Sequence, residues 1–201
     1  MMLQSTDSLR IIPSNWMGPL DLDSVFGHQP GTLEVDLGCG KGRFLLARAE
    51  RHPDISFLGM DRLLLRLLRV ERKAQRQRGF NIRLLYVDAY YAVSYLLPVR
   101  SVATYYIFFP DPWPKRRHQR HRLFNADFLN ALDRTLIPAG CIHVATDYTD
   151  YFEHIRRIFS HDTRFQPIAP LELSAEERTD FELLFLNEHR LIGRCSFRKT
   201  S

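Results

Sequence analysis

A chain of 201 residues, 45% of them hydrophobic, is long enough for one well-packed domain and short for two. Its 28 Lys and Arg against 23 Asp and Glu leave a formal charge of +5, which favours a polyanionic partner such as nucleic acid. Cys39, Cys141 and Cys195 are far apart and form no C-x-x-C pair, which argues against a disulfide framework or a zinc site; the start lacks signal-peptide regions, and no apolar run nears the ~20 residues of a membrane helix. The expectation is a soluble cytoplasmic protein with reduced thiols, no membrane contact and no bound metal.

Residues 1–30 mix Ser, Asp, Pro and Gly around Trp16 and Phe26 without a clear period, and are expected as an arm that packs locally. From residue 31 onward the pattern becomes one domain of alternating strands and helices. Leu33–Leu37, Ile55–Met60, Ile82–Val87, Ala103–Phe109 and Cys141–Ala145 read as strands. Gly42–Arg51, Leu63–Arg78, Tyr90–Leu97, Ala126–Leu136 and Tyr151–Phe159 read as helices between them, and Arg190–Arg198 as a further edge strand. A strand in each gap between helices implies right-handed βαβ crossovers. The expected fold is therefore α/β and Rossmann-like, with a mostly parallel sheet of about seven strands, helices on both faces, and ligands at the carboxyl ends of the strands.

Three features carry chemistry. The first strand runs into Asp36-Leu37-Gly38-Cys39-Gly40-Lys41-Gly42, where missing side chains let a ligand approach the backbone. A dinucleotide fingerprint would need glycine at Arg43, and a P-loop a different spacing, so neither fits. The G-x-G-x-G spacing after an acid instead resembles the S-adenosyl-L-methionine loop of class I methyltransferases. Asp61 and Asp88 close the next two strands, where each reads either as a helix N-cap or as a ligand contact, Asp61 facing ribose hydroxyls.

The third feature begins at Tyr106-Ile107-Phe108-Phe109, where an apolar strand stops at Pro110-Asp111-Pro112-Trp113 and a cationic tract from Lys115 to Arg122. The flanking prolines stiffen the loop that carries Asp111. Trp113 either packs or stacks on a base. The i, i+3 pair His118 and His121 lacks a third metal ligand and suits RNA contact better. The helix from Arg62 to Arg78 carries seven Lys or Arg with leucines between them, and reads as amphipathic with a solvated basic face.

With these residues assembled, the chain resembles the tRNA (guanine-N(7)-)-methyltransferase family of the bacterial TrmB type. The matching stretches are Leu33 to Gly42, Phe109 to Trp113 with its basic continuation, Ala145-Thr146-Asp147 and Thr179-Asp180-Phe181-Glu182, with a weaker likeness at Asp21 to Gly27. The resemblance implies S-adenosyl-L-methionine held by Asp36, Gly38, Gly40, Gly42, Asp61, Asp88 and Asp111, with Asp88 near the adenine. It makes Asp111 the catalytic residue beside the target base, and Lys115, Asp147, Thr179, Phe181 and Glu182 substrate-binding residues. Arg117, His118, Arg120, His121 and Arg122 become the RNA-contacting tract, with tRNA as partner and a monomer or homodimer as the assembly. Three positions depart from the family pattern: Asp36 and Asp61 stand where Glu is usual, and Phe181 where Tyr is commoner.

The implied reaction is methylation at N7 of a variable-loop guanosine. Competing readings are a different RNA methyltransferase or an amino-group enzyme of the adenine N6 type, which places Asp-Pro-Pro-aromatic at this strand end, and a catalytically silent RNA-binding homologue.

Overall fold

The structure is a computed structural model that describes residues 8–77 and 81–200. Residues 1–7 of the expected arm and Arg78 at the end of the expected basic helix lie outside the described residues. An eight-stranded sheet forms in the order β1-β4-β3-β2-β5-β6-β8-β7. Its strands are β1 (Arg10–Ile11), β2 (Leu33–Leu37), β3 (Ser56–Asp61), β4 (Ile82–Tyr86), β5 (Val102–Phe108), β6 (Leu136–Thr146), β7 (Phe165–Ile168) and β8 (Gly193–Lys199). From β1 across to β6 every pairing is parallel, and β8 joins β6 and β7 by antiparallel pairing.

Every residue of β2 and β3 is buried, as a parallel strand covered on both faces requires. Alternation divides neighbours between two cores. Phe57 and Leu84 join the cluster under α2 (Arg43–Arg51) and α3 (Leu64–Arg76). Leu58 and Leu85 face the opposite cluster, with Phe128 of α5 (Ala126–Thr135) and Tyr151 of α6 (Thr149–Ser160). The expected helix at Tyr90 begins at Ala89 as α4 (Ala89–Tyr91) and widens into a π-helical turn, Ala92–Leu96. Arg134 donates to the freed carbonyls of Val93, Ser94 and Leu97.

The arm reaches beyond local packing. A short helix, α1 (Leu22–Phe26), buries Phe26 in the core, and β1 extends the sheet beside β4. Buried Glu71 of α3 fastens this strand, accepting from Ser8 Oγ at 2.9 Å, Leu9 N at 3.1 Å and Arg10 Nε at 2.7 Å. The C-terminal end also differs from expectation. The strand expected from Arg190 starts at Gly193 and lies inside the sheet, while the edge belongs to β7. Pro167 lacks the N–H of an ordinary strand residue, which restricts such a strand to an edge and hides it in the sequence.

Between β2 and β5 the strand order reverses: the chain runs outward from β2 through β3 to β4, then returns to start β5 on the other side. The crevice at that point, beyond the carboxyl ends of the strands, is where open α/β sheets bind ligands. Removing the Glu71 carboxylate tests the attachment of the arm. Glu71→Ala should cost about 2 kcal/mol of unfolding free energy and speed amide exchange at Leu9–Ile11. Unchanged exchange there would show that β1 is held by other contacts.

Candidate active site

At the reversal point the glycine-rich loop leaves β2 and turns into α2. Gly38, Gly40 and Gly42 all have positive φ, at 84°, 57° and 77°, which explains glycine at these three places. At Gly42 a Cβ would also stand 2.7 Å from both methyls of Val70 in α3, so this position sets how closely loop and helix pack. Gly38, by contrast, has open space on its Cβ side.

Asp61, at the end of β3, holds the loop in shape. Its Oδ2 accepts from Gly40 N at 3.0 Å and its Oδ1 from Leu63 N at 2.8 Å, with Arg66 at 3.6 Å. Each oxygen keeps a further lone pair for a ligand hydroxyl. Asp36 is 4% exposed on β2, and burial, with the Asp61 carboxylate adding, pushes its pKa up to about 8. The shift favours the protonated carboxyl at neutral pH. Asp88 is an exposed N-cap of α4, accepting from Tyr91 N at 3.1 Å.

Two helical segments close on this edge. The first is α7 (Asp180–Asn187), capped by Thr179, whose Oγ1 accepts from Glu182 N at 3.0 Å. The strap before it is tied to α2: Arg43 donates to the carbonyls of Arg178 and Ala175, and Arg48 to Glu177 at 3.1 Å. Asp36, Gly38, Gly40, Phe44, Phe108, Thr179, Phe181 and other neighbours enclose a cleft of about 130 Å³. That is below the roughly 300 Å³ at the small end of ordinary ligand sites, and Asp61, Asp88, Asp111 and Asp147 do not line it. A wider hollow of about 670 Å³ between α6, β7 and β8 contains none of the expected site residues.

The second segment is a 3-10 helix, Arg116–His121, that follows the Asp111 loop. Phe109 keeps one more ladder bond, to Ala145 O at 2.7 Å, yet has a φ of 54°, a strained geometry at the strand exit. Asp111 is exposed and pairs with Arg62 at 2.8 Å. Trp113 packs against His118 and His121, at 5.9 and 5.3 Å between ring centroids, rather than in the core. Lys115, Arg117, Arg120 and His121 are exposed and His118 is half-buried.

Arg122 departs from the expected RNA tract. It is buried, donating to Pro112 O at 2.9 Å and to Asp150 at 2.6 Å, with its guanidinium 4.8 Å from the centre of the Tyr151 ring. The side chain clamps the Asp111 loop onto α6, and no face of it is offered to a phosphate.

Asp147 follows β6 and is paired with Arg190, and Glu182 is buried against Arg194 at 2.5 Å and Arg178 at 3.6 Å. The Glu182 Oε2 atom has no hydrogen-bond partner among the described residues. The sequence reading missed Arg62, Arg66, Arg190 and Arg194 as the counter-charges of these acids, and missed α7. A signal for α7 was present: Thr179-x-x-Glu182 ahead of an apolar run is a capping-box pattern.

Residues 30–189 match a family model described as "Putative methyltransferase". A tRNA (guanine-N(7)-)-methyltransferase of Nitrosococcus oceani is 37% identical over 173 residues, covering 82% of this chain and 70% of the relative. The enzyme of that name from Leifsonia xyli is 44% identical over 140 residues, covering 69% and 60%. Against the relative from Thermotoga maritima the covered share is 47%, so the chain spans about half to seven tenths of the length of such relatives. Among solved structures, the 16S rRNA methyltransferase KamB superposes with a TM-score of 0.67 over 96% of this chain and 99% of that one, at 14% identity, a likeness of fold. Together with the glycine loop and the acids at successive strand exits, these similarities show that the chain belongs to the tRNA (guanine-N(7)-)-methyltransferase family.

Proposed function

We propose that the protein transfers the methyl group of S-adenosyl-L-methionine to N7 of a guanosine in tRNA, in the variable loop, and that it works in the cytoplasm where tRNA is found. The observation that carries this reading is one sheet edge that gathers the glycine loop, the Asp111 and Asp147 carboxylates and the root of an exposed basic tract.

The residues present fit the cofactor. Gly38 leaves the loop backbone open to a ligand, and Asp36 is a buried carboxyl that a cation would bring to its charged form. When bound, S-adenosyl-L-methionine supplies a methyl group on a positively charged sulfur. Guanine N7 carries a lone pair and no proton, so its attack on that methyl needs no general base. In such a transfer the electron pair of the C–S bond would stay with sulfur and the positive charge would pass to the base. Asp111 and Asp147 act by placing negative charge where that cation forms, and by accepting from guanine N1–H and N2–H. Arg117 and Arg120 hold phosphates without reading sequence, and Lys115 stands between them and Asp111.

Incubating the protein with methyl-labelled donor and an unmodified tRNA transcript, followed by nucleoside analysis, tests the reaction. The expected product is N7-methylguanosine. N6-methyladenosine would establish the amino-group alternative, and cofactor binding with no labelled nucleoside would establish another acceptor. Asp111→Ala should reduce turnover by about 10²-fold or more at an unchanged unfolding midpoint, because the side chain is exposed. Near-normal turnover would remove Asp111 from the reaction centre.

The tract separates into two kinds of arginine. Replacing Arg117 and Arg120 together with Ala should weaken tRNA binding and flatten its dependence on salt, with stability unchanged. Arg122→Ala should instead lower stability by about 2 kcal/mol, since it opens the clamp on Pro112 and Asp150. The opposite pattern would place the RNA surface elsewhere.

Cofactor binding should also depend on pH in a defined direction. Asp36 is protonated in the free protein below about pH 8, and a cationic ligand favours its ionised form. Binding then releases a proton, and affinity rises as pH increases from 6 towards 8. Asp36→Asn should abolish that rise in a calorimetric titration. A flat profile in the unaltered protein would contradict the role given to this carboxyl.

A further inference from the structure

The cation that covers Asp147 has the shape of part of a nucleobase. Arg190 pairs with Asp147, and its guanidinium lies 4.3 Å from the centre of the Phe185 ring. A second carboxylate, Glu188, stands at 3.7 Å. The backbone aims the side chain there: Arg190 N donates to Phe185 O at 2.8 Å across the end of α7, and His189 turns the chain with a φ of 54°. Phe185 in turn leans on Phe109 and Phe181, at 5.3 and 6.0 Å between centroids, beside the loop that carries Asp111.

A guanidinium presents a flat face to an aromatic ring and a fork of in-plane N–H donors to a carboxylate. Guanine presents the same pair of surfaces, a face that stacks on aromatic side chains and an N1–H, N2–H edge that fits a carboxylate. Adenine offers a lone pair at N1 and would meet the carboxylate with repulsion. The Asp147 side chain is 13% exposed, so it needs a donor partner whether or not substrate is present. Arg190 is 42% exposed, so its side chain has solvent to move into when another donor takes its place.

We propose that Arg190 occupies the guanine site at Asp147 in the free protein as a stand-in for the base, and that Phe185 is the ring on which the base stacks. An incoming guanine displaces the guanidinium, stacks on Phe185 and donates to Asp147. Arg190 then swings outward as a free cation for the phosphates beside the target nucleotide. Arg190 is thus a positioning residue, and Phe185 is a contact of the base. The inference rests on the methyltransferase reading for its substrate, although the recognition it describes does not involve the methyl donor.

Equilibrium binding of the free nucleosides guanosine and inosine tests it without any methyl transfer. Arg190→Ala should bind guanosine about five-fold more tightly than the unaltered protein, because the competing group is gone. Inosine, which lacks the N2 donors, should gain less. Adding Phe185→Leu or Asp147→Asn should cancel the gain. If Arg190→Ala does not fold, Arg190→Met keeps the aliphatic stem and serves in its place. No gain, an equal gain for inosine, or a gain that survives both second substitutions would overturn the subsite. A guanosine-specific gain in a protein that forms no N7-methylguanosine would sink the proposed reaction and leave the subsite standing, whereas methylation without the gain would do the reverse.

Discussion

Carboxylates crowded onto one sheet edge set the terms for everything around them. Parallel strands end side by side, and Asp36, Asp61, Asp111 and Asp147 all lie at or just beyond such ends. Placing several like charges side by side is costly, and the chain meets that cost in two ways. Asp36 stays protonated, and Asp61, Asp111 and Asp147 each have an arginine from their own chain, Arg66, Arg62 and Arg190. On the proposed function, these counter-ions stand where a cationic donor, a base edge and RNA phosphates would sit, and binding would be an exchange of ionic partners.

The same edge carries three of the five non-glycine residues with positive φ among the described residues, Arg100 and Ala139 lying elsewhere. Phe109 and Trp113 have positive φ on either side of Asp111, and His189 has it beside Arg190. Non-glycine residues in that region cost about 1–3 kcal/mol and persist only where packing over-determines them. Packing does so here: the Asp111 loop is clamped by Arg122 to Pro112 and Asp150, and α7 is tied through its strap to Arg43 and Arg48. The narrow cleft under α7 follows from this arrangement, since the strap that orients Thr179 and Phe181 also covers the glycine loop.

The strands from β2 to β5 and the second half of β6 were legible because each is a short, mostly apolar run that ends near an acid or a glycine turn. Their parallel pairing followed from the helix in every gap. The parts that escaped have physical reasons. Pro167 breaks the pattern of β7, and β1 spans only two residues, held by the distant Glu71. Phe181, Leu183, Leu184, Phe185 and Leu186 spread apolar side chains round most of α7, so no helical period stands out. Arg122 looks like its neighbours in sequence, and only the tertiary position of Asp150 and Tyr151 turns it inward. The arginine partners of the acids were invisible for the same reason: Arg190 lies 43 residues from Asp147, with no local pattern joining them.

The most direct test of this account locates the modified base. After incubation of tRNA transcript with the protein and S-adenosyl-L-methionine, borohydride reduction and aniline treatment cut the chain at N7-methylguanosine. A single cut in the variable loop is the predicted result. An intact strand from a protein that binds the donor would contradict the central claim that this acidic edge presents a guanine N7 to the methyl group.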